Sequence, residues 1–335
     1  MAELIRMAHG SGGRLMHRLI EEIFLPRFGA PPGCAGDDAA EIPVAAGRYA
    51  FTTDSFVVRP LFFPGGDIGR LAVCGSVNDL AAKGARAEFI ATAFVLEEGL
   101  PLATLALVAE SMAAAAKEAG ARIVTGDTKV VERGAADELF IAASGVGRIA
   151  ENVNLSGANA RPGDVVIVSG TIGEHGAAVM NARHELRLGG AELRSDCAPL
   201  GELIMTALGA VPGVHALRDP TRGGVATALV EIARQSNVRI VIEENAVPLR
   251  LPVRRACELL GIDPLYVASE GRMLALVPQA QEDAFLAALH AHPLGRDAAR
   301  IGRADAGPAG VALHTTIGGM RPLIMLEGDP LPRIC

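Results

Sequence analysis

Apolar positions along the chain follow two rhythms, short strand-like runs and longer stretches at helical spacing, and the two alternate. In the first half, RYAFTTDSFVV (48–58) reads as a strand that turns at Asp54. Asp67 stands as the N-cap of a helix through IGRLAVCGSVNDLAAKGA that ends near Gly84. AEFIATAFVL (87–96) has the continuous apolar character of a buried strand. PLATLALVAESMAAAAKEAG predicts a helix opened by Pro101 and closed by Gly120. RIVTGDTKVVE (122–132) and ELFIAASGVGRI (138–149) are β-branched and apolar, and predict strands.

A weak break at ANARPGD (158–164) precedes a second start. VVIVSG (165–170) predicts a strand, 174–183 and 198–210 predict helices, and the loop RDPTRGG leads into a helix over 224–236. VRIVIEE (238–244) predicts a strand, VRRACELLG a short helix, LYVASEGRMLALV strands broken at Glu270–Gly271, and EDAFLAALHAH a helix. No short-period repeat is visible. The expected fold class is mixed α/β (α+β), in two domains, as the length of 335 residues also suggests. The expected division is 1–155, 156–322 and a flexible tail, 323–335.

A net charge of −7, no Trp and two Tyr make nucleic-acid binding through phosphate contacts and base stacking a poor expectation. Basic residues are scattered, with no run that would seek an anionic membrane. No apolar run approaches the roughly 18 residues that span a bilayer. The opening MAELIRMAHGSGGR has no uninterrupted apolar region, so no signal peptide is expected. Five cysteines, Cys34, Cys74, Cys197, Cys257 and Cys335, are odd in number and lack CxxC spacing. That argues against a disulfide framework or zinc site and for a reducing cytoplasm.

Acidic residues recur where the pattern expects burial: Asp37 and Asp38 in AGDDAAEI, Asp54 in FTTDSF, Asp79 in VNDLAA and Asp127 in IVTGDTKVV. Each has a plain reading, as a turn cap, a strand-end residue or a solvated helix position. Yet a buried carboxylate needs a partner, and Lys and Arg are sparse in these stretches. Carboxylates converging without enough cations suggest Mg²⁺, which prefers oxygen ligands and keeps phosphates as co-ligands. Lys129 shares a strand face with Asp127, as an ion-pair partner or as a cation beside bound phosphate. The glycine-rich HGSGGR, with Gly10, Gly12 and Gly13, is either a turn or a loop whose N–H groups wrap phosphate oxygens. RDPTRGG places Asp219 and Arg222 before a helix that Thr221 could cap. SEGR places Glu270 at a break, as a general base or an ordinary turn residue.

The tail EGDPLPRIC carries Pro330 and Pro332, which forbid a helix and favour an extended backbone. Seven steps from Gly328 to Cys335 reach roughly 20–25 Å. Its thiol is either a chance cysteine or a carrier on which a group is loaded and then processed at the aspartate site.

HGSGGR, GDDAA, TDSFVVRPLFFPGGDIG, SVNDLAAKGA, TGDTKVVE, GDVVIVSGTIGEHG, SDCAPL, RDPTRGG, ELLGIDPLYVASEG and LPRIC together resemble the HypE family of hydrogenase maturation proteins. HypE belongs to the PurM-like (AIR synthetase-like) superfamily, with selenophosphate synthetase and thiamine-monophosphate kinase. The resemblance covers nearly the whole chain, and LPRIC is specific because the sister families lack it. It implies a PurM-like fold whose amino-terminal domains close a barrel in a homodimer, with ATP near that interface. It also implies that a partner, HypF, carbamoylates Cys335, and that ATP-dependent dehydration of the carboxamide leaves a thiocyanate. Cyanide would then pass to iron on a HypC–HypD complex for [NiFe] hydrogenase.

By the same resemblance, Asp37, Asp38, Asp54, Asp79, Asp127 and Asp219 surround Mg²⁺ and ATP, with Asp38, Asp54, Asp79 and Asp127 on the metal. Gly10, Gly12, Gly13, Asn78, Thr128 and Arg222 complete the nucleotide site, and Lys129 and Glu270 match positions of acid–base work on the tail. SEGR stands where NEGK is the expected form. The rival expectations are a small-molecule kinase or synthetase of the superfamily and a non-catalytic adaptor with a docking tail.

Overall fold

A computed structural model of the chain describes residues 3–11, 13–29, 39–184, 193–328, 331 and 333–335. Gly12, Cys34, Asp37, Asp38, Pro330 and Pro332 lie outside the described residues. The chain begins with two short helices, α1 (Arg14–Leu19) and α2 (Leu25–Phe28), joined by a π-helical turn over Ile20–Phe24. The apolar pattern gave no sign of them. Next come β1 (Tyr49–Phe56), β2 (Phe62–Phe63), β3 (Gly66–Asp67), α3 (Ile68–Ala82), β4 (Ala85–Glu97), α4 (Leu102–Ala119), β5 (Arg122–Val131) and β6 (Leu139–Ile149). A second series holds β7 (Asp164–Val168), α5 (Glu174–His184), α6 (Gly201–Ala210), β8 (Ala216–Arg218), α7 (Gly224–Ser236) and β9 (Arg239–Glu243). It ends with α8 (Leu251–Leu260), β10 (Leu274–Pro278), α9 (Glu282–His290), β11 (Ala299–Asp305), β12 (Gly310–His314) and β13 (Met320–Leu323).

Four strands of the first series form one sheet in the order β1-β6-β4-β5. Asp67 does cap α3: its Oδ1 accepts N–H bonds from Gly69 at 2.7 Å and Arg70 at 3.1 Å. Gly69 lets α3 lie close to α4, because a Cβ there would sit 2.4 Å from the Val108 carbonyl oxygen. Helices α3 and α4 cover one face of this sheet. Alternation turns Thr52, Asp54 and Phe56 of β1 toward α3 and leaves Phe51, Thr53 and Ser55 on the other face. Phe51 is 70% exposed there. The expected turn at Asp54 does not occur. Asp54 pairs with Ala143 of β6 and the ladder continues to Phe56–Ile141, so the carboxylate sits mid-strand.

The second sheet has seven strands in the order β13-β12-β9-β11-β7-β10-β8. Val166 and Val168 pack toward α7, while Val165 and Ile167 pack toward α6 and α9. Cover on both faces explains the continuous apolar run of β7. Of the strands expected over 265–277, broken at Glu270–Gly271, only the second forms, as Leu274–Pro278, and the break falls where expected. Upstream, the backbone bonds elsewhere. Ser269 N–H donates to the Pro220 carbonyl and Glu270 N–H to Asp196 Oδ1 at 3.1 Å.

Candidate active site

Five separate elements meet at one small cavity. β1 supplies Asp54, α3 supplies Gly75 and Asp79, the loop after β8 supplies Asp219, Thr221 and Arg222, the turn before β10 supplies Glu270, and the tail supplies Cys335. The cavity holds about 100 Å³. Asp79 accepts the Thr52 hydroxyl at 2.6 Å. Thr221 does not cap α7; its hydroxyl donates to Asp219, and the N-cap position is Gly223, in the left-handed region. Asn78 also differs from its expected role at a nucleotide. Its Nδ2 donates to the carbonyls of Ala198 (3.1 Å) and Glu270 (2.9 Å), and its Oδ1 accepts from Leu200 N–H (2.8 Å). Both ends of the amide are therefore committed to fixing the Glu270 turn against α3.

The cavity is short of positive charge. Burial raises the Asp79 carboxyl to about 6, with Asp54 adding repulsion. Burial and then Asp79 push Asp219 up. Burial, Asp219 and Asp196 push Glu270 well above the usual carboxylate range. Glu270 Oε1 is buried without a hydrogen-bond partner, an arrangement that calls for a ligand. Arg218, near Asp79 and Asp219, is paired with Glu231. Among the described residues no three Asp, Glu, His or Cys side chains close into a finished metal cage. Asp54 and Asp79 are a donor set suited to a magnesium ion that takes its remaining oxygens from phosphate and water.

The tail is docked. Val57 N–H donates to the Cys335 carbonyl at 3.3 Å and Arg59 N–H to the Arg333 carbonyl at 3.2 Å, so the tail runs along the segment after β1. Arg333 pairs with Asp137 at 2.6 Å. Leu331 and Ile334 are each 2% exposed and join the core under α3 and α5. His175 Nε2 lies 2.6 Å from the Ile334 carbonyl oxygen.

The other expected residues lie elsewhere. Asp127, Thr128 and Lys129 are on β5, the edge of the sheet opposite β1. Asp54, Ala143, Thr92 and Gly126 form one cross-strand row, which puts Asp127 three strand spacings from Asp54, about 14 Å. Asp127 is therefore not brought to the metal-binding pair within one chain. Lys129 Nζ pairs with Asp127 Oδ2 at 2.9 Å, which holds the Asp127 carboxyl below the usual range. Lys129 is likewise absent from the Cys335 cavity. Gly10 packs on the same strand, where a Cβ would sit 2.5 Å from Val130 N, and Gly13 caps α1. Asp127 and Thr128 line a second, largely apolar pocket of about 210 Å³ with Met16, Phe24, Thr92 and Phe94.

Sequence reasoning missed His175, Asp137 and Asp196. Asp196 is buried, accepts from the Glu270 backbone and lies 3.6 Å from Arg272. Its only signal was a charge inside SDCAPL, and nothing local tied that stretch to residue 270.

Two families of known domains match the chain: AIR synthase related protein, N-terminal domain, over residues 36–149, and AIR synthase related protein, C-terminal domain, over 161–314. Carbamoyl dehydratase HypE of Cupriavidus necator is 51% identical over 333 residues, covering 99% of this chain and 95% of the relative. A crystal structure of hydrogenase maturation protein HypE in complex with ATP superposes with a TM-score of 0.95 at 46% identity, over 98% of this chain and 99% of that one. The HypE of a crystallised HypE–HypF complex superposes at 0.81 with 44% identity, over 94% and 100%. With about half of the relatives' residues retained from end to end, and a docked cysteine facing buried carboxylates, the chain belongs to the HypE family of carbamoyl dehydratases.

Proposed function

We propose that this protein dehydrates a carboxamide carried on the sulfur of Cys335 to a thiocyanate, in the maturation of [NiFe] hydrogenase. The observation that carries this reading is the docked Cys335 in the same cavity as Glu270, Asp54, Asp79 and Asp219. A cavity of about 100 Å³ has room for a carbamoyl group. The net change removes water from S–C(=O)–NH₂ and leaves S–C≡N. ATP, with Mg²⁺, supplies the phosphoryl group that makes the amide oxygen a leaving group. The ATP-bound relative supports that nucleotide here. Asp54 and Asp79 would hold the metal, and Asp219 lines the same cavity; in the family pattern Asp38 would join the metal and Asp37 the nucleotide.

Glu270 removes a nitrogen proton, and loss of the second N–H proton together with inorganic phosphate leaves the thiocyanate, with ADP as the other product. The raised pKa of Glu270 makes it a stronger base than a solvated carboxylate, and its bare Oε1 is free to accept. Arg222 lines the same cavity and balances charge on transferred oxygens. Lys129 and Asp127 do not line this cavity within one chain.

HypF is the carbamoyl donor, a reading supported by the relative crystallised with it, and a HypC–HypD complex is the cyanide acceptor. The chain works as a cytoplasmic homodimer that pairs through the open face around Phe51, with functional units 1–155 and 156–322 and the carrier tail 323–335. Among the described residues no helix is long and apolar enough to cross a membrane. The rival small-molecule kinase or synthetase is not favoured, since relatives at half identity along the full length are carbamoyl dehydratases.

Intact-mass analysis after incubation with HypF, carbamoyl phosphate and ATP tests the reading. The carbamoylated chain loses the mass of one water; a carbamoyl adduct that persists with active HypF and ATP overturns it.

A further inference from the structure

His175 has no place in the chemistry above, yet it is the most completely enclosed histidine near the site, with no exposed surface. It is the second residue of α5. Nε2 is 2.6 Å from the Ile334 carbonyl oxygen and Nδ1 is 2.8 Å from Ser195 Oγ. A carbonyl only accepts, so Nε2 carries the proton and Nδ1 is the acceptor. Ser195 must then donate its hydroxyl to Nδ1, and its oxygen in turn accepts Cys197 N–H at 3.0 Å. Each group has one role, and the ring is fixed in one tautomer. Burial supports the neutral form by lowering the His175 pKa to about 4. The edge of the pair formed with Phe63, 5.3 Å between centroids at 84°, holds the plane of the ring.

The segment on the far side of this ring is the one that supports Glu270. Ser195 N–H is anchored on the Pro64 carbonyl. Asp196 accepts Glu270 N–H, and the Ala198 carbonyl shares Asn78 Nδ2 with the Glu270 carbonyl. A Cβ on Gly271 would sit 1.8 Å from the Asp196 carbonyl oxygen, so the two segments are in direct contact. One imidazole thus joins the residue before Cys335 to the segment that carries the base.

We propose that His175 is a positioning residue for the dehydration step: it latches the docked tail through Ile334 and sets the Cys335 sulfur against the Glu270 carboxylate. This rests on the dehydratase reading for its kinetic arm, whereas the docking arm needs no activity.

The test uses the full-length chain and three variants. His175→Leu keeps the bulk and removes the donor. His175→Gln places an amide N–H where Nε2 stood. Ser195→Ala leaves the ring but releases its tautomer. Alkylation of Cys335 by N-ethylmaleimide, followed on its own peptide, reports docking. Loss of the buried bond makes Cys335 react about tenfold faster in His175→Leu and about threefold faster in Ser195→Ala, while His175→Gln stays near the parent. Single-turnover dehydration of the carbamoylated chain slows about tenfold in His175→Leu and recovers in His175→Gln. Carbamoyl transfer from HypF, which does not use the Glu270 cavity in this reading, does not slow. Parent-like alkylation in both His175→Leu and Ser195→Ala overturns the latch. So does an equal fall of transfer and dehydration, which is what general damage to the fold produces. If His175→Leu does not fold, Ser195→Ala and His175→Gln decide the matter by the same alkylation rates.

Discussion

Glu270 and Asp79 are two carboxylates of one cavity with opposite duties, and their surroundings explain the difference. Glu270 is enclosed, bare at Oε1 and surrounded by Asp219, Asp196 and Asp54, so its carboxylate has a raised affinity for a proton taken from the substrate. Glu270→Gln therefore slows dehydration of the carbamoylated tail by about 10² or more while leaving carbamoyl transfer intact. Single-turnover rates read by intact mass check this, and parent-like dehydration removes Glu270 from the mechanism.

Asp79 is raised to about 6 from an unfolded value of 3.8. Its proton is favoured in the folded state, so the native chain is penalised as pH rises through that window, fully so above about 6. Asp79→Asn keeps an acceptor for Thr52 and removes the penalty. It raises the Tm of nucleotide-free protein at pH 7.5 by a few degrees, up to about 3 kcal/mol, and the gain shrinks toward pH 5. Magnesium with nucleotide raises the Tm of the parent at pH 7.5 and does so less in the variant. Thermal scans at both pH values measure each effect.

At the scale of the element, α3 was readable from both ends, and it delivers the site. Asp67 fixes its first turn, and Asn78 and Asp79 follow three turns on, along the face that meets β1 and the Glu270 turn. The cap is made through the Oδ1 acceptor of Asp67, which the amide of asparagine also offers. Asp67→Ala costs about 1 kcal/mol by chemical denaturation, whereas Asp67→Asn stays close to the parent.

The elements that sequence reasoning misjudged share one trait. An aspartate in an apolar run resembles a strand end, so β1 is expected to turn at Asp54; pairing with β6 keeps it extended. The apolar stretch before the break at Glu270–Gly271 predicts a strand, but the N–H groups of Ser269 and Glu270 are bound by Pro220 and Asp196, which are distant in sequence. Local propensity is a weak prior wherever a tertiary partner takes the backbone hydrogen bonds.

At the largest scale, among the described residues, the four-stranded sheet is covered on one face only. Phe51 stands 70% exposed on the other, beside Thr53 and Ser55. An apolar, uncovered sheet face is a surface for association. Phe51→Asp converts a dimer to a monomer at micromolar concentration in sedimentation velocity, while the parent stays dimeric; a monomeric parent would discard this pairing.

The alternation of strands and helices, the marked ends of α3 and α4, and the acidic residues out of step with their apolar surroundings are all legible along the chain. These are local properties, written in periodicity, in Gly and Pro, and in the cost of burying a charge. The sequence also carries the family's motifs, from HGSGGR to LPRIC. Only the tertiary structure decided which acids belong together. Asp54, Asp79, Asp219 and Glu270 converge because β1, α3 and two loops of the second sheet pack at one point. Asp127 is kept apart by the width of a sheet whose strand order no local signal encodes. The docking of the tail on His175 belongs to the same class, since that bond joins residues 159 positions apart and exists only once both domains have brought their surfaces to the cavity.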